Sequence, residues 1–274
     1  VSDNTGHVCG RCPACERGDY LLCSEKVNLG LGYGYSGGFT KYCRIPGEIL
    51  AIHKRAIWEI PEGLEYEEAA VMDPICNAYK AIAQRSGLLP GENVVIFGTG
   101  PLGLFSVQIA KIMGALNIVV VGLEEDVKVR FGVARQLGAT EVVNGSVEDV
   151  VQRCQEICGG SDSIGLVVDC AGANICLKQA IEMVRCNGEI VRVGMGFKPV
   201  GFSINDISMK AVSIIGHMAY DATSWRNALQ LLAAGRIQVK PMITHRLGLS
   251  RWEEGFEAMA NKEAIKVILT YDFD

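Results

Sequence analysis

Four cysteines fall within a short stretch near the start of the chain, in Cys9-Gly-Arg-Cys12-Pro-Ala-Cys15 and, eight positions on, Cys23. The spacing C-x2-C-x2-C-x7-C brings four thiolates within reach of one tetrahedral zinc ion. A closed thiolate set leaves no position for water or substrate, so such a site is structural. A redox switch, an iron–sulfur cluster and a nucleic-acid-binding zinc ribbon use the same residue type. The acidic charge balance, −5 over 274 residues, disfavours the last.

A second stretch points to different chemistry. Val94-Val-Ile-Phe-Gly98-Thr99-Gly100-Pro101-Leu102-Gly103 reads as a strand, a GxGxxG turn and the opening of a helix. The first glycine permits the turn and the second lets backbone approach a pyrophosphate. The third lets helix and strand pack closely, with the helix N–H groups facing the anion. Its position at the head of a run of strand–helix units gives the motif its weight. After the next strand, Val119-Val-Val-Gly122, an NAD site would place an acid for the ribose hydroxyls. Here Glu124, Glu125 and Asp126 arrive late, and Lys128 and Arg130 follow as groups able to serve a 2′-phosphate. The residues favour NAD and leave NADP open. The plain alternative is that all five are solvated charges at a helix start.

These sites need a scaffold. The chain is 49% hydrophobic and 21% charged, enough for a substantial core in one large or two ordinary domains. No basic run suggests nucleic acid or an anionic membrane as partner, and no apolar run approaches the roughly 20 residues of a membrane span. The opening VSDNTGH carries no signal-peptide pattern, and eleven scattered cysteines suit a reduced compartment, so a soluble cytoplasmic protein is expected.

From Asn93 onward, Val/Ile-rich strands alternate with amphipathic helices as far as GEIVRVGM, the pattern of an α/β doubly wound parallel sheet of the Rossmann type. Before it, residues 1–50 are glycine-rich, with short strand-like pieces such as FTKYCRIP. EYEEAAVMDPICNAYKAIAQR has helical spacing that Pro74 must kink or interrupt. After it, SWRNALQLLAAG reads as a helix and PMITHRL as a strand. Ser250-Arg-Trp-Glu253 reads as a capping box opening a helix with Trp252, Phe256 and Met259 on one face. The final IKVILTY is expected to pair with the first fifty residues. This gives three segments: a partial catalytic domain with the cysteine lobe (1–77), a dinucleotide-binding domain (78–221) and a return to the first domain (222–274). The strand AVSIIGHM is either a sheet edge open to a second copy or a packed internal strand.

The cysteine lobe, GYSGGFTKYCRIP, MDPICNAYKA and VVIFGTGPLG, in that order, resemble the zinc-dependent medium-chain dehydrogenases/reductases, in particular the sorbitol, butanediol and threonine dehydrogenase branch. The resemblance implies a mostly β GroES-like domain, a Rossmann domain and hydride transfer from a secondary alcohol or polyol to NAD(P), in a homodimer or homotetramer. It implies that Cys9, Cys12, Cys15 and Cys23 hold a structural zinc and that the loop Gly98–Gly103 holds the pyrophosphate. Cys170, Ala171 and Gly172 match residues lining the adenosine side. Val193, Gly194 and Met195, with His217 and Met218, match segments near the nicotinamide. Lys266 falls where relatives place a base near the cofactor phosphates. Asp73 falls where this branch has a glutamate at or near a catalytic zinc. The principal ligands of that zinc, a Cys and a Gly-His-Glu motif, lie upstream of the lobe in relatives and are not in this sequence. Without them the chain could instead be a non-catalytic dinucleotide-binding protein. Of the histidines that could substitute, His7 sits beside the lobe, His53 reads as a surface loop residue, and His245 reads as packed or hydrogen-bonded.

Overall fold

A computed structural model of the chain describes residues 8–25, 30–32, 34–53 and 55–273; His7 lies outside them. The chain divides into two compact units. One comprises Val1–Cys76, Met218–Gly235 and Ile243–Asp274, the other Asn77–His217 and Arg236–Met242. The short return Arg236–Met242 thus belongs with the sheet-bearing unit, not with the tail.

In chain order, the first unit begins with helix α1 (Pro13–Glu16), the two-residue strands β1 (Gly30–Leu31) and β2 (Gly34–Tyr35), and helices α2 (Gly47–Ile52) and α3 (Tyr66–Ala69). Residues 39–46, FTKYCRIP, form no strand, and Tyr42 within them is largely exposed. Pro74 interrupts the helical stretch as its lack of an N–H requires. A new helix, α4 (Met72–Tyr79), starts two residues earlier, so the proline lies in its first turn. A π-helical turn, Lys80–Gln84, continues it.

The second unit is a six-stranded, wholly parallel sheet. Strands β3 (Asn93–Phe97), β4 (Ile118–Gly122), β5 (Glu141–Asn144), β6 (Ile164–Asp169), β7 (Glu189–Arg192) and β8 (Ser213–Gly216) lie in the order β5-β4-β3-β6-β7-β8. Crossovers run through helices α5 (Pro101–Ile112), α6 (Arg130–Leu137), α7 (Val150–Cys158) and α8 (Asn174–Met183), with short α9 (Ile204–Ser208) ahead of β8. Strands β3, β4 and β6 are buried throughout, as continuous Val/Ile runs covered on both faces must be. Their side chains alternate: Val95 and Phe97 join the core with Cys154 and Leu177 of α7 and α8, whereas Ile96 faces Gly103 of α5. β8 is the edge strand, so AVSIIGHM is not an internal strand.

The tail adds α10 (Ala222–Ala233), β9 (Ile243–Gly248), α11 (Trp252–Ala260) and β10 (Lys266–Thr270). The final strand pairs with β9, in parallel through the α11 crossover, and not with any described residue of the first fifty. The capping box is also replaced. Ser250 donates its N–H (2.9 Å) and its hydroxyl to the Asp272 carboxylate, and α11 has Arg251 as its N-cap residue, with no side-chain cap. Trp252, Phe256 and Met259 share an exposed face; Gly255 and Ala258 are the buried pair. Gly255 lies against the strands so closely that a Cβ there would meet Val267 at 2.9 Å, which turns the bulky face outward. His53 is fully buried, its ring tilted against Tyr20 with centroids 3.9 Å apart, and burial pushes its pKa down to about 4; it is not a surface residue. Helices supply more of the described part of this unit than its four short strands do. Among the described residues no helix is long and apolar enough to cross a membrane.

Candidate functional site

The carboxyl ends of β3, β6 and β7 form the first candidate. The chain leaves β3 toward β4 and β5 on one side and resumes at β6 on the other, so the switch point of the sheet lies between β3 and β6. At that point Gly98 takes φ +101°, which favours glycine, and its N–H bonds to the Val121 carbonyl at 2.8 Å. Gly103 carries the close packing: a Cβ there would sit 1.9 Å from the Gly98 oxygen. Gly100, the N-cap of α5, differs, since a Cβ there would meet nothing within 4 Å. Thr99 is buried, and Pro101 at the first helical position gives up an N–H that has no helical partner. A twelve-residue helix with open space at its N-terminus fits an anionic group such as a pyrophosphate.

The facing loops are built around one buried ion pair. Asp169, at the end of β6, is fully buried and sits in register with Arg192 at the end of β7. One Asp169 oxygen accepts the N–H groups of Ala171 (3.0 Å) and Gly172 (2.8 Å); the other pairs with the Arg192 guanidinium. Arg192 also donates to the Gly172 carbonyl at 2.6 Å, and the Asp169 carbonyl accepts from Val193 and Gly194. Burial pushes the Asp169 carboxyl up from its ordinary value, against the Gly172 N–H and the Arg192 charge. Cys170 donates its N–H to Phe97, and a Cβ on Gly98 would lie 3.3 Å from the Ala171 nitrogen. Gly172 and Gly194 approach so closely that a Cβ on either would strike the other loop's backbone. The Cys170 thiol, 3.6 Å from the Ser106 hydroxyl, is pushed up to about 12 by burial and stays protonated.

The loop Gly98, Thr99, Gly100, Pro101, Leu102 and Gly103 is therefore brought together with Cys170, Ala171 and Gly172. Val193 and Gly194 join them, while Met195 follows with its side chain largely exposed. His217 is linked through its N–H to the Arg192 carbonyl and through Nε2 to Asn77 Oδ1 at 3.1 Å. Met218, Lys266 and Asp73 belong to the other unit. There Asp73 is exposed in the first turn of α4. Burial pushes the Lys266 ammonium down from its ordinary value, with the Asp73 charge opposing. Glu124 stands exposed past β4, accepting from Asn144 Nδ2 at 2.6 Å. The charges after β4 are not all solvated: Asp126 is buried and pairs with the half-buried Arg130. Asp169, Arg192 and Asn77 escaped the sequence reading, although charged residues of opposite sign ending two apolar strands were a usable signal.

The second candidate is the cysteine lobe. The Sγ atoms of Cys9, Cys12, Cys15 and Cys23 lie within 4.8 Å of one another, with Cys9 and Cys15 at 4.0 Å. A tetrahedron of ~2.3 Å zinc–sulfur bonds has edges of about 3.8 Å, so the donor set and its spacing suit that ion. Backbone N–H groups already serve the sulfurs, Cys12 N to Cys9 Sγ at 3.3 Å and Cys9 N to Cys23 Sγ at 3.4 Å. The N–H groups of Cys15 and Ser24 bring the Cys12 thiol down to about 6, while burial pushes Cys15 up to about 12. Among the described residues this is the one group of three or more metal-ligating side chains that converge, and Asp73 belongs to none. His245 bonds to Thr244 at 3.0 Å within β9.

Strand order and glycine turn define a Rossmann-like α/β protein, and comparison with known proteins narrows the class. Residues 101–234 match the family model described as zinc-binding dehydrogenase. A zinc-type alcohol dehydrogenase-like protein of Escherichia coli is 72% identical over the whole chain and 76% of its own length. A sorbitol dehydrogenase of Halalkalibacterium halodurans is 32% identical over 98% of this chain and 75% of its own. Among solved structures, a zinc-binding dehydrogenase of Sinorhizobium meliloti bound to NADP superimposes with a TM-score of 0.82. It is 26% identical and matched over 98% of this chain and 75% of its own. The chain belongs to the zinc-type alcohol dehydrogenase family of oxidoreductases.

Proposed function

We propose that this chain binds NAD at the β3–α5 loop and serves hydride transfer between a secondary alcohol, of the polyol type, and the nicotinamide. The observation that carries the proposal is the meeting of the open Gly100 turn with the Ala171–Gly172 and Val193–Gly194 loops at the switch point. The α5 N-terminus would receive the pyrophosphate and Glu124 the ribose hydroxyls. Cys170, Ala171 and Gly172 would line the adenosine side, and Val193–Met195 and His217 the nicotinamide side. When bound, the nicotinamide supplies the hydride acceptor; the loops orient it and exclude water. The polyol class is suggested by the sorbitol dehydrogenase relative. The cysteine lobe would hold a structural zinc. Among the described residues the converging metal-ligating group is the four cysteines of the lobe, and no step is assigned to a catalytic zinc. The exposed edge β8 is the proposed contact for a homodimer or homotetramer, in a cytoplasmic setting.

The closed thiolate set of the lobe, which offers no open metal position to a substrate, favours a second reading, a dinucleotide-binding protein that performs no oxidation alone. Both readings are tested by titrating the intact chain with NADH by fluorescence, counting zinc per chain, and following NADH formation from sorbitol and related polyols. Saturable NADH binding is expected. Its absence would refute the site. Binding with one zinc and no turnover would leave the second reading.

A further inference from the structure

Strand β8 ends at a residue that the sheet alone holds weakly. Among the described residues β8 pairs only with β7, and most of its length is exposed. His217 follows it, and its N–H bonds to the Arg192 carbonyl at 3.2 Å, which sets it level with Val193. Two side chains from one helical segment reach this point. The amide oxygen of Asn77 lies 3.1 Å from Nε2 of His217, and Arg85 donates to the Gly216 carbonyl at 3.2 Å. An amide oxygen only accepts, so Nε2 carries a proton. In a regular α-helix the eight-residue spacing of Asn77 and Arg85 would set the two side chains about 80° out of line. The π-helical turn Lys80–Gln84 lies between them and closes with the Arg85 N–H on the Lys80 carbonyl at 3.0 Å. It takes up one extra residue, so the pair is spaced as seven positions would be, within about 20° of alignment. Such turns recur at functional sites.

The carboxyl ends of a parallel sheet are where a dinucleotide lies, and β8 stands beyond β7 on the β6 side of the switch point. An edge residue free to shift must be ordered when the ligand binds, and that ordering subtracts from affinity. One already held by a neighbouring side chain binds without that loss. We propose that Asn77 is a positioning residue for the nicotinamide end of the dinucleotide, acting through His217 and not by touching the ligand. The proposal rests on the reading that the glycine loop receives the pyrophosphate and the His217 end of the sheet the nicotinamide.

The test is calorimetric titration of the intact chain with NADH and with ADP-ribose, which is the same molecule without its nicotinamide base. The variants are Asn77→Leu, which keeps the size of the side chain and loses its oxygen, His217→Phe, and the two together. The wild type should bind NADH more tightly than ADP-ribose. Asn77→Leu should weaken NADH about tenfold and leave ADP-ribose within about twofold, a split that general loosening of the sheet would not produce. His217→Phe should do the same, and the double variant should lose no more than either alone. His217→Phe also keeps the test decisive if Asn77→Leu does not fold. The proposal falls if either variant weakens both ligands equally, if either leaves NADH unaffected, or if the two losses add. It also falls if the wild type does not distinguish NADH from ADP-ribose. Failure of the dinucleotide site itself would look different: the wild type would bind neither ligand.

Discussion

The strand-end loops of the sheet unit and the cysteine lobe are both candidate binding sites, yet they are held in opposite ways. The loops after β3, β6 and β7 stand on strands buried on both faces and are locked by backbone contacts and one buried ion pair. Their shape exists before any ligand arrives. Among the described residues the lobe's core is Val8, Cys15 and Cys23, packed by its remaining sulfurs, Tyr20 and Ile52. That is too little apolar burial to offset the conformational entropy of ordering the segment. A site built on a core can be emptied without collapse; a site that is its own core cannot.

Metal removal should expose that contrast most strongly. Chelation is expected to unfold the lobe outright, since binding energy on the order of 10 kcal/mol is folding energy in such sites. The amides of Glu16, Asp19 and Cys23, bonded to Cys12, Ala14 and Tyr20, should then exchange freely, while those of Gly98 and Cys170 stay protected. Hydrogen exchange with and without chelator reads both at once. Equal protection of the lobe in the two samples would show that it needs no ion.

A smaller effect separates buried from exposed charge. Arg192→Met strands Asp169 without its partner in a fully buried position and should cost about 3 kcal/mol. Arg246 and Glu67, in the other unit, form a well-aligned pair at 2.7 and 2.8 Å, but the arginine is about half exposed. Arg246→Met should cost far less, because solvent screens the pair. Denaturant melts of the two variants measure the difference, and equal losses would remove the special role given to the Asp169–Arg192 pair.

What could be read from the residues divides along the same line. The continuous Val/Ile runs identify β3, β4 and β6 because only a strand covered on both faces is apolar at every position. The cysteine spacing and the glycine turn carry local geometry in their own spacing. The errors lie where a residue's partner is remote in sequence. Ser250 resembles a cap until Asp272, twenty-two residues on, takes its hydrogen bonds. IKVILTY declares a strand but not its neighbour, β9. His53 is polar and flanked by charge, yet it is buried against Tyr20. The Asp169–Arg192 pair is visible only once β6 and β7 are placed in register.

The smallest structural effect is the most informative about the site. Gly103 and Gly98 are explained by packing: one would strike a carbonyl, and the other needs a positive φ. Neither tells binding apart from architecture. Gly100 has an ordinary φ of −73° and open space where its Cβ would be, so nothing in the fold requires glycine there. Gly100→Ala should leave the melting temperature close to that of the wild type, since it adds no contact and no strain and the entropy it removes from the unfolded chain is offset by alanine's weaker N-capping. If the loop receives a pyrophosphate, that methyl group stands where the anion must come close to backbone, and NADH affinity should drop about tenfold. Calorimetry and the NADH titration on one sample decide it. Unchanged melting with weakened binding identifies a glycine kept for the ligand. Unchanged melting with unchanged binding would place the pyrophosphate elsewhere.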